Sequence, residues 1–223
     1  MLVFASDYDR TLTDQNLEPC YRVISYISSF RPDIFFVIAS GRRLEFLQEK
    51  LGPYADALVA ENGAVVYFEN KKLVYGKDWN QRVREIVDEK EGVWFGEVLL
   101  YSLLDREDEI RKALDGKISY RIERNRESIM VMPDYVDKNF GVQRVIMMLD
   151  SESLITAAVG DDHNDLSMVE ASDVKLAIQN SIPEIKASSD FISAQPYCEG
   201  TLEAFDHLLQ KLKNVHKRKL GLV

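Results

Sequence analysis

Short apolar runs that alternate with helix-like segments constrain the fold of this chain more than any other feature. The runs are Leu2–Ala5, Ile34–Ala39 and Ala57–Ala60. A continuous apolar run of this length is typical of a strand that is buried on both faces of a parallel sheet. Apolar residues recur at helical spacing between the runs, as at Val23 and Ile27. The alternation predicts a doubly wound α/β fold with a parallel sheet and right-handed crossovers.

The middle of the chain breaks this alternation. The apolar residues of its strands alternate with polar ones, as in an antiparallel sheet that has one covered face. We therefore expect an inserted α+β cap domain at residues 78–133, and an α/β core built from residues 1–77 and 134–223. The elements predicted in the insertion are a helix at Trp79–Lys90, a strand at Val98–Leu104, a helix at Glu107–Leu114, and strands at Ile118–Ile122 and Ser128–Met132.

Acidic and hydroxyl side chains follow three of the predicted core strands, and a lysine opens a helix of the core. These residues are Asp7, Asp9, Ser40, Lys138, Asp161 and Asp165. Each one alone also fits a turn or a helix cap. Their shared placement predicts one site, because open α/β sheets bind ligands beyond the carboxyl ends of their strands. Two carboxylates two residues apart either hold a hard cation or divide nucleophilic and acid/base roles between them.

The order of these motifs resembles that of the haloacid dehalogenase superfamily of phosphatases, in the Cof-like branch that carries an α+β cap between the second and third motifs. The matching motifs are Asp7-Tyr8-Asp9-Arg10-Thr11, Ser40-Gly41-Arg42, Lys138 and Gly160-Asp161-Asp162-His163-Asn164-Asp165. Two further stretches, Glu61-Asn62-Gly63-Ala64 and Gln179-Asn180, resemble loops that border the site in this branch. Arg10 departs from the pattern, because the family usually has glycine at this position.

The resemblance implies a Mg2+-dependent phosphatase that works through a phosphoaspartyl intermediate. Asp7 would be the nucleophile, Asp9 the general acid and base, and Lys138 would offset negative charge. Mg2+ would be bound by Asp7, the Asp9 main-chain carbonyl and Asp161, with Asp165 completing or buttressing the site. The substrate-binding residues implied by the resemblance are Thr11, Ser40, Gly41, Arg42, Asn62, Lys138 and Asn180.

The length of the chain and its cap type are similar to those of short archaeal phosphoglycolate phosphatases, so the implied partner is a small phosphorylated metabolite, here phosphoglycolate. A sugar-phosphate phosphatase, a phosphomutase and a receiver-like signalling module are the alternatives. Arg121, Arg124 and Arg126 either bind a substrate carboxylate or are solvated turn residues. His163 is interpreted as a loop residue. We expect a monomer or a homodimer.

Charge and cysteine content restrict the partners and the compartment. A formal net charge of -9 argues against nucleic-acid binding, which draws much of its affinity from lysine and arginine. No run resembles a membrane span or a signal peptide, and Cys20 and Cys198 are isolated. We expect a cytoplasmic protein without a membrane partner, in which the two cysteines are small buried hydrophobic residues, with a disulfide between them as the alternative.

Overall fold

The computed structural model describes residues 1–125, 128–151 and 153–219. The strands are β1 (Leu2–Asp7), β2 (Ile34–Ala39), β3 (Ala57–Ala60), β4 (Val65–Phe68), β5 (Lys71–Val74), β6 (Val93–Phe95), β7 (Leu100–Leu103), β8 (Arg121–Asn125), β9 (Ser128–Met132), β10 (Ile155–Gly160), β11 (Val174–Ala177) and β12 (Phe191–Ile192). The helices are α1 (Tyr21–Ser28), α2 (Leu44–Leu51), α3 (Lys77–Arg84), α4 (Glu107–Leu114), α5 (Lys138–Met148), α6 (Leu166–Glu170), α7 (Pro183–Ser188) and α8 (Tyr197–Lys219).

The chain divides into two compact units. The first contains Met1–Ile38 and Asp150–Val223, and the second contains Ala39–Leu149. The predicted mixed α/β fold with a large parallel sheet is confirmed. The separation of residues 78–133 as a cap domain stays a prediction. In the part of the chain that the structure describes, no helix is both long and apolar enough to cross a membrane.

The first unit is built on a parallel sheet with strand order β12-β11-β10-β1-β2. Every residue of β1 is buried, as its continuous apolar pattern predicts. Phe4 of β1 packs against Phe36 of β2 and Phe205 of α8, with ring centroids 5.8 Å and 5.0 Å away. This aromatic core fixes β1, and therefore fixes the loop that follows it.

The second unit contains antiparallel strands. β3, β4 and β5 are neighbours in that order, and a second sheet has the order β6-β7-β9-β8. In the second sheet Val93, Ser102 and Ile129 are neighbours in register, and all three are buried. Trp94 and Tyr101 stack on its other face with centroids 5.9 Å apart. The antiparallel pairing predicted for this part of the chain is therefore confirmed.

Element bounds differ from the predictions mainly between residues 79 and 125. Helix α3 ends at Arg84 rather than Lys90, and the short strand β6 follows it. Lys90 instead forms a backbone bridge with Val93, which turns the chain into β6. Strand β8 lies three residues later than predicted, because its charged residues obscure the apolar alternation.

Candidate active site

The loop after β1 carries the first predicted motif. Asp7 ends the strand and is 4% exposed, and the chain then turns through a hydrogen bond from the Leu12 amide to the Tyr8 carbonyl, 2.9 Å long. The Arg10 amide donates to Thr13 Oγ1 at 2.7 Å. Thr11 is buried, and its Oγ1 has no hydrogen-bond partner among the described residues. A buried hydroxyl of this kind can bind a ligand oxygen.

Arg10 has a backbone φ of 60°, in the left-handed region that non-glycine residues seldom adopt. The backbone here therefore has the conformation that a glycine would favour, as the family resemblance implied. The Nε atom of Arg10 is buried, and none of the residues described accepts a hydrogen bond from it. The loop tolerates arginine at this position with backbone strain.

Three predicted metal-binding residues lie together. Asp7, Asp161 and Asp165 are buried, and one carboxylate oxygen of each lies within 4.8 Å of the others. Asp161 follows β10, and Asp165 Oδ2 accepts hydrogen bonds from the amides of Asp161 at 2.9 Å and Asp162 at 3.1 Å. Asp162 and Asp165 form a reciprocal capping box. Asp165 thus holds the loop that presents Asp161.

The chemistry of this cluster fits a hard divalent cation. Buried carboxylates repel one another, and a cation with oxygen ligands offsets that repulsion. The three carboxylates could hold a metal ion. The ligand predicted at Asp9 is its main-chain carbonyl oxygen. The carboxylate cluster does not include this atom, so its contact with a metal stays a prediction. The structure therefore supports a metal-binding cluster.

Asn180 links the two loops of the cluster. Its Nδ2 atom donates to the Arg10 carbonyl and to Asp161 Oδ2, both at 3.2 Å, and its Oδ1 accepts from the Tyr197 amide at 2.7 Å. Nearby, Thr201 Oγ1 donates to the Thr11 carbonyl at 2.6 Å. The start of α8 therefore holds the loop of the first motif, while a substrate-binding role for Asn180 stays a prediction.

Ser40, Gly41 and Arg42 follow β2, as predicted. Ser40 is buried, its Oγ accepts from the Arg42 amide at 3.1 Å, and its amide donates to the Val59 carbonyl at 2.8 Å. The Gly41 carbonyl accepts from the Tyr101 hydroxyl at 2.9 Å. Burial, followed by the charge of Glu61, raises the pKa of Tyr101 well above its usual value, so this hydroxyl stays protonated and donates.

Lys138 is the first residue of α5 and is 1% exposed. Asp137 caps this helix, with its Oδ1 accepting from the Phe140 amide at 2.7 Å. Asn62 is also buried: its amide donates to the Ser40 carbonyl at 2.9 Å, and its Nδ2 contacts Met130 Sδ at 3.4 Å. Of the predicted substrate-binding residues in the second unit, Ser40, Asn62 and Lys138 are therefore buried.

The predicted site residues fall into two groups, one in each unit. The first group is Asp7, Asp9, Thr11, Asp161, Asp165 and Asn180. The second group is Ser40, Gly41, Arg42, Asn62 and Lys138. Their individual roles stay predictions.

Arginines of the predicted cap have protein partners. Arg124 binds both carboxylate oxygens of Glu107 at 2.7 Å. Arg121 donates to Glu123 and lies 3.7 Å from Asp137 Oδ2. Arg126 lies outside the described residues. Ion pairing inside the protein accounts for Arg121 and Arg124 without a substrate carboxylate.

The prediction of two unpaired cysteines is wrong. Cys20 and Cys198 form a disulfide across a sequence separation of 178. Cys20 is the residue before α1, and Cys198 lies in the first turn of α8. No local spacing pattern signals this pairing, because the fold alone brings the two helix starts together.

A family model described as haloacid dehalogenase-like hydrolase matches residues 4–102 and 80–205. The chain belongs to this hydrolase family. A phosphoglycolate phosphatase 2 of Saccharolobus solfataricus is 32% identical over 222 residues, which is 93% of this chain and 92% of the relative. A phosphoglycolate phosphatase of Sulfurisphaera tokodaii is 31% identical over 198 residues, which is 84% of this chain and 85% of the relative.

A solved structure from Thermoplasma acidophilum has the same fold. Its TM-score is 0.74 at 21% sequence identity, and the match covers 93% of this chain and 97% of that one. The predicted membership of the haloacid dehalogenase family is confirmed, and so is the predicted enzyme class, a phosphoric monoester hydrolase.

Proposed function

We propose that this haloacid dehalogenase-like hydrolase is a Mg2+-dependent phosphatase that converts phosphoglycolate to glycolate and phosphate through a phosphoaspartyl intermediate on Asp7. The buried cluster of Asp7, Asp161 and Asp165 carries the proposal, because it gathers three carboxylates that could hold a hard cation, and one of them belongs to the proposed nucleophile. The two relatives above 30% identity that are named phosphoglycolate phosphatases support the substrate.

Asp7, Asp161 and the Asp9 main-chain carbonyl would hold Mg2+, and Asp165 would buttress Asp161 through its two amide hydrogen bonds. When bound, Mg2+ offsets the negative charge on the carboxylate and the phosphate, so that the two can approach each other. The rigid support of Asp161 matters because loosely held ligands bind metal less tightly.

The covalent steps use Asp7 and Asp9. A carboxylate oxygen of Asp7 attacks phosphorus in line, the bond between phosphorus and the ester oxygen breaks, and Asp9 gives its proton to the leaving alcohol. In the second half, a water attacks the same phosphorus, Asp9 accepts a proton from that water, and the bond to Asp7 breaks. One difficult displacement is thus divided into two.

Hydroxyl and ammonium groups would stabilise the phosphoryl group. We propose that Ser40 and Thr11, whose hydroxyl has no partner among the described residues, donate hydrogen bonds to phosphoryl oxygens, and that Lys138 offsets charge in the transition state. Lys138 fits this role because a buried ammonium strongly favours a negatively charged partner.

A cytoplasmic location is also proposed, since a small phosphorylated metabolite is an intracellular substrate. The disulfide between Cys20 and Cys198 restricts this proposal, because intracellular disulfides persist chiefly in organisms such as hyperthermophiles.

The test is phosphate release from phosphoglycolate, p-nitrophenyl phosphate and a panel of sugar phosphates, with Mg2+ or with EDTA. We expect release from phosphoglycolate with multiple turnovers in Mg2+, and none in EDTA. Asp7→Asn should abolish release, because the amide is a poor nucleophile. The matched control is Asp33→Asn, which changes an exposed aspartate of the same unit and should keep wild-type activity.

Different failures point to different alternatives. Preference for a sugar phosphate would replace the proposed substrate, and an isomeric ester formed in place of free phosphate would indicate a mutase. Wild-type activity in Asp7→Asn would contradict the proposed mechanism.

A further inference from the structure

Glu61, directly after β3, has a buried carboxylate that binds three successive backbone amides. Glu61 is only 1% exposed. Its Oε1 accepts from the Glu97 amide at 2.7 Å, and its Oε2 accepts from the amides of Val98 and Leu99, both at 2.9 Å. Hydrogen bonds to an ionised acceptor are stronger than neutral ones, and together these satisfy a buried charge.

The carboxylate fits tightly against Gly96. A Cβ atom at that position would lie 2.5 Å from Glu61 Oε1 and 2.6 Å from Oε2, so a larger residue would displace the carboxylate. Glu61 also has a φ of 50°, in the left-handed region. A non-glycine residue persists there only when its surroundings hold it, and the three amides supply that hold.

The backbone of the same turn, residues 61–63, contacts two predicted phosphoryl-binding elements. The Glu61 amide donates to the Arg42 carbonyl, and the Asn62 amide donates to the Ser40 carbonyl, both at 2.9 Å. Gly63 packs so closely on the residue before Lys138 that a Cβ there would lie 2.0 Å from the Asp137 carbonyl oxygen. The turn therefore touches both the Ser40 loop and the start of α5.

We propose that Glu61 is a positioning residue, which fixes Ser40 and Lys138 by anchoring turn 61–63 on the amides of Glu97–Leu99. The proposal rests on the proposed function, in which Ser40 and Lys138 bind the phosphoryl group. Loss of the anchor frees the turn, so that both groups leave their productive positions. The acid cluster lies in the other unit.

The first test variant is Glu61→Gln, which keeps the size of the side chain but offers only one acceptor oxygen. We expect kcat/KM to fall by about 10- to 100-fold, the cost of a small misplacement of catalytic groups. The Mg2+ concentration for half-maximal activity should not change. Hydrogen exchange of the Glu97–Leu99 amides should become faster, and the affinity for inorganic phosphate should fall.

Two further variants control for folding. Glu69→Gln changes an exposed glutamate that also has a left-handed φ, 48°, and should behave as wild type. Gly96→Ala disturbs the same contact from the opposite side, so it should reproduce the loss in kcat/KM even if Glu61→Gln folds poorly.

The proposal would be overturned if Glu61→Gln kept both the wild-type kcat/KM per folded molecule and the wild-type affinity for phosphate. This holds whether or not the variant is less stable than the wild type. An equal loss in Glu69→Gln would overturn it as well. If the wild-type protein releases phosphate from no ester, the proposed function fails, whereas amide exchange and phosphate affinity still decide whether Glu61 positions the turn.

Discussion

Removal of the disulfide between Cys20 and Cys198 should lower the free energy of unfolding by several kcal/mol. The bond joins the start of α1 to the first turn of α8, and these helices also pack against each other. The perturbation is the double variant Cys20→Ser with Cys198→Ser. It removes the cross-link while keeping side chains of similar size.

The magnitude follows from the length of chain that the bond closes. A cross-link restricts the unfolded chain, and its entropic contribution grows with the logarithm of the loop length. For the sequence separation of 178, the contribution is about 5 kcal/mol at 25 °C. The start of α8 holds Asn180 and the Thr11 carbonyl, so the loosened variant should also need more Mg2+ for activity.

The assay is urea unfolding of the wild type, both single variants and the double variant, each with and without a thiol reductant. All three variants should lose the same free energy, because any one substitution breaks the bond. Reductant should bring the wild type to the same value and leave the variants unchanged. Equal stability of wild type and double variant, or additive losses from the two single variants, would refute this reasoning.

Two further predictions concern backbone strain and pH. Arg10→Gly should keep the wild-type stability or raise it by up to about 1 kcal/mol, because glycine tolerates a φ of 60°, whereas Arg10→Ala should be less stable than Arg10→Gly in the same unfolding assay. Arg124, then Arg111, lowers the pKa of Glu107, so the charged pair stabilises the fold above the ordinary glutamate pKa and is lost as pH falls through the lowered one. Glu107→Gln should therefore be less stable than wild type at pH 7, and the difference in urea midpoint should shrink below about pH 4; an unchanged difference would contradict this.

The core of the fold is predictable because local signals and burial agree there. The apolar runs Ile34–Ala39 and Ala57–Ala60 match β2 and β3. A strand that is buried on both faces is apolar along its whole length, so its position can be predicted without deciding which face is buried. Asp137 caps α5, and a cap of this kind depends only on neighbouring residues. Helix α4 also matches its predicted bounds, Glu107–Leu114.

Features that depend on distant residues were not predictable. The pairing of Cys20 with Cys198 and the three amides on Glu61 join segments that are far apart in sequence, and no spacing signals them. The end of α3 was misplaced, because the polar residues after Arg84 continue a helical composition while the chain turns into β6. The capping box of Asp162 and Asp165 did have a signal, an acidic residue at each end of a four-residue window.

The candidate site shows the same division. The acid cluster was predictable, since Asp7 ends β1 and Asp161 follows β10, and the carboxyl ends of these neighbouring parallel strands meet at one edge. The hydrogen bonds that support this cluster were not predictable. The two bonds donated by Asn180 Nδ2 depend on the position that the loop before α7 takes in the folded chain. Residue type and strand order thus predict the acid cluster, and packing determines what holds it.

The most direct test of phosphoryl transfer to Asp7 is mass spectrometry of acid-quenched enzyme during turnover of phosphoglycolate with Mg2+. We expect a phosphoryl group on the peptide that contains Asp7, and we expect borohydride to convert that residue to homoserine. The modification should be absent in EDTA and in Asp7→Asn. Rapid phosphate release by wild type with no modified Asp7 peptide at any quench time, or with the phosphoryl group on another residue, would contradict Asp7 as the nucleophile.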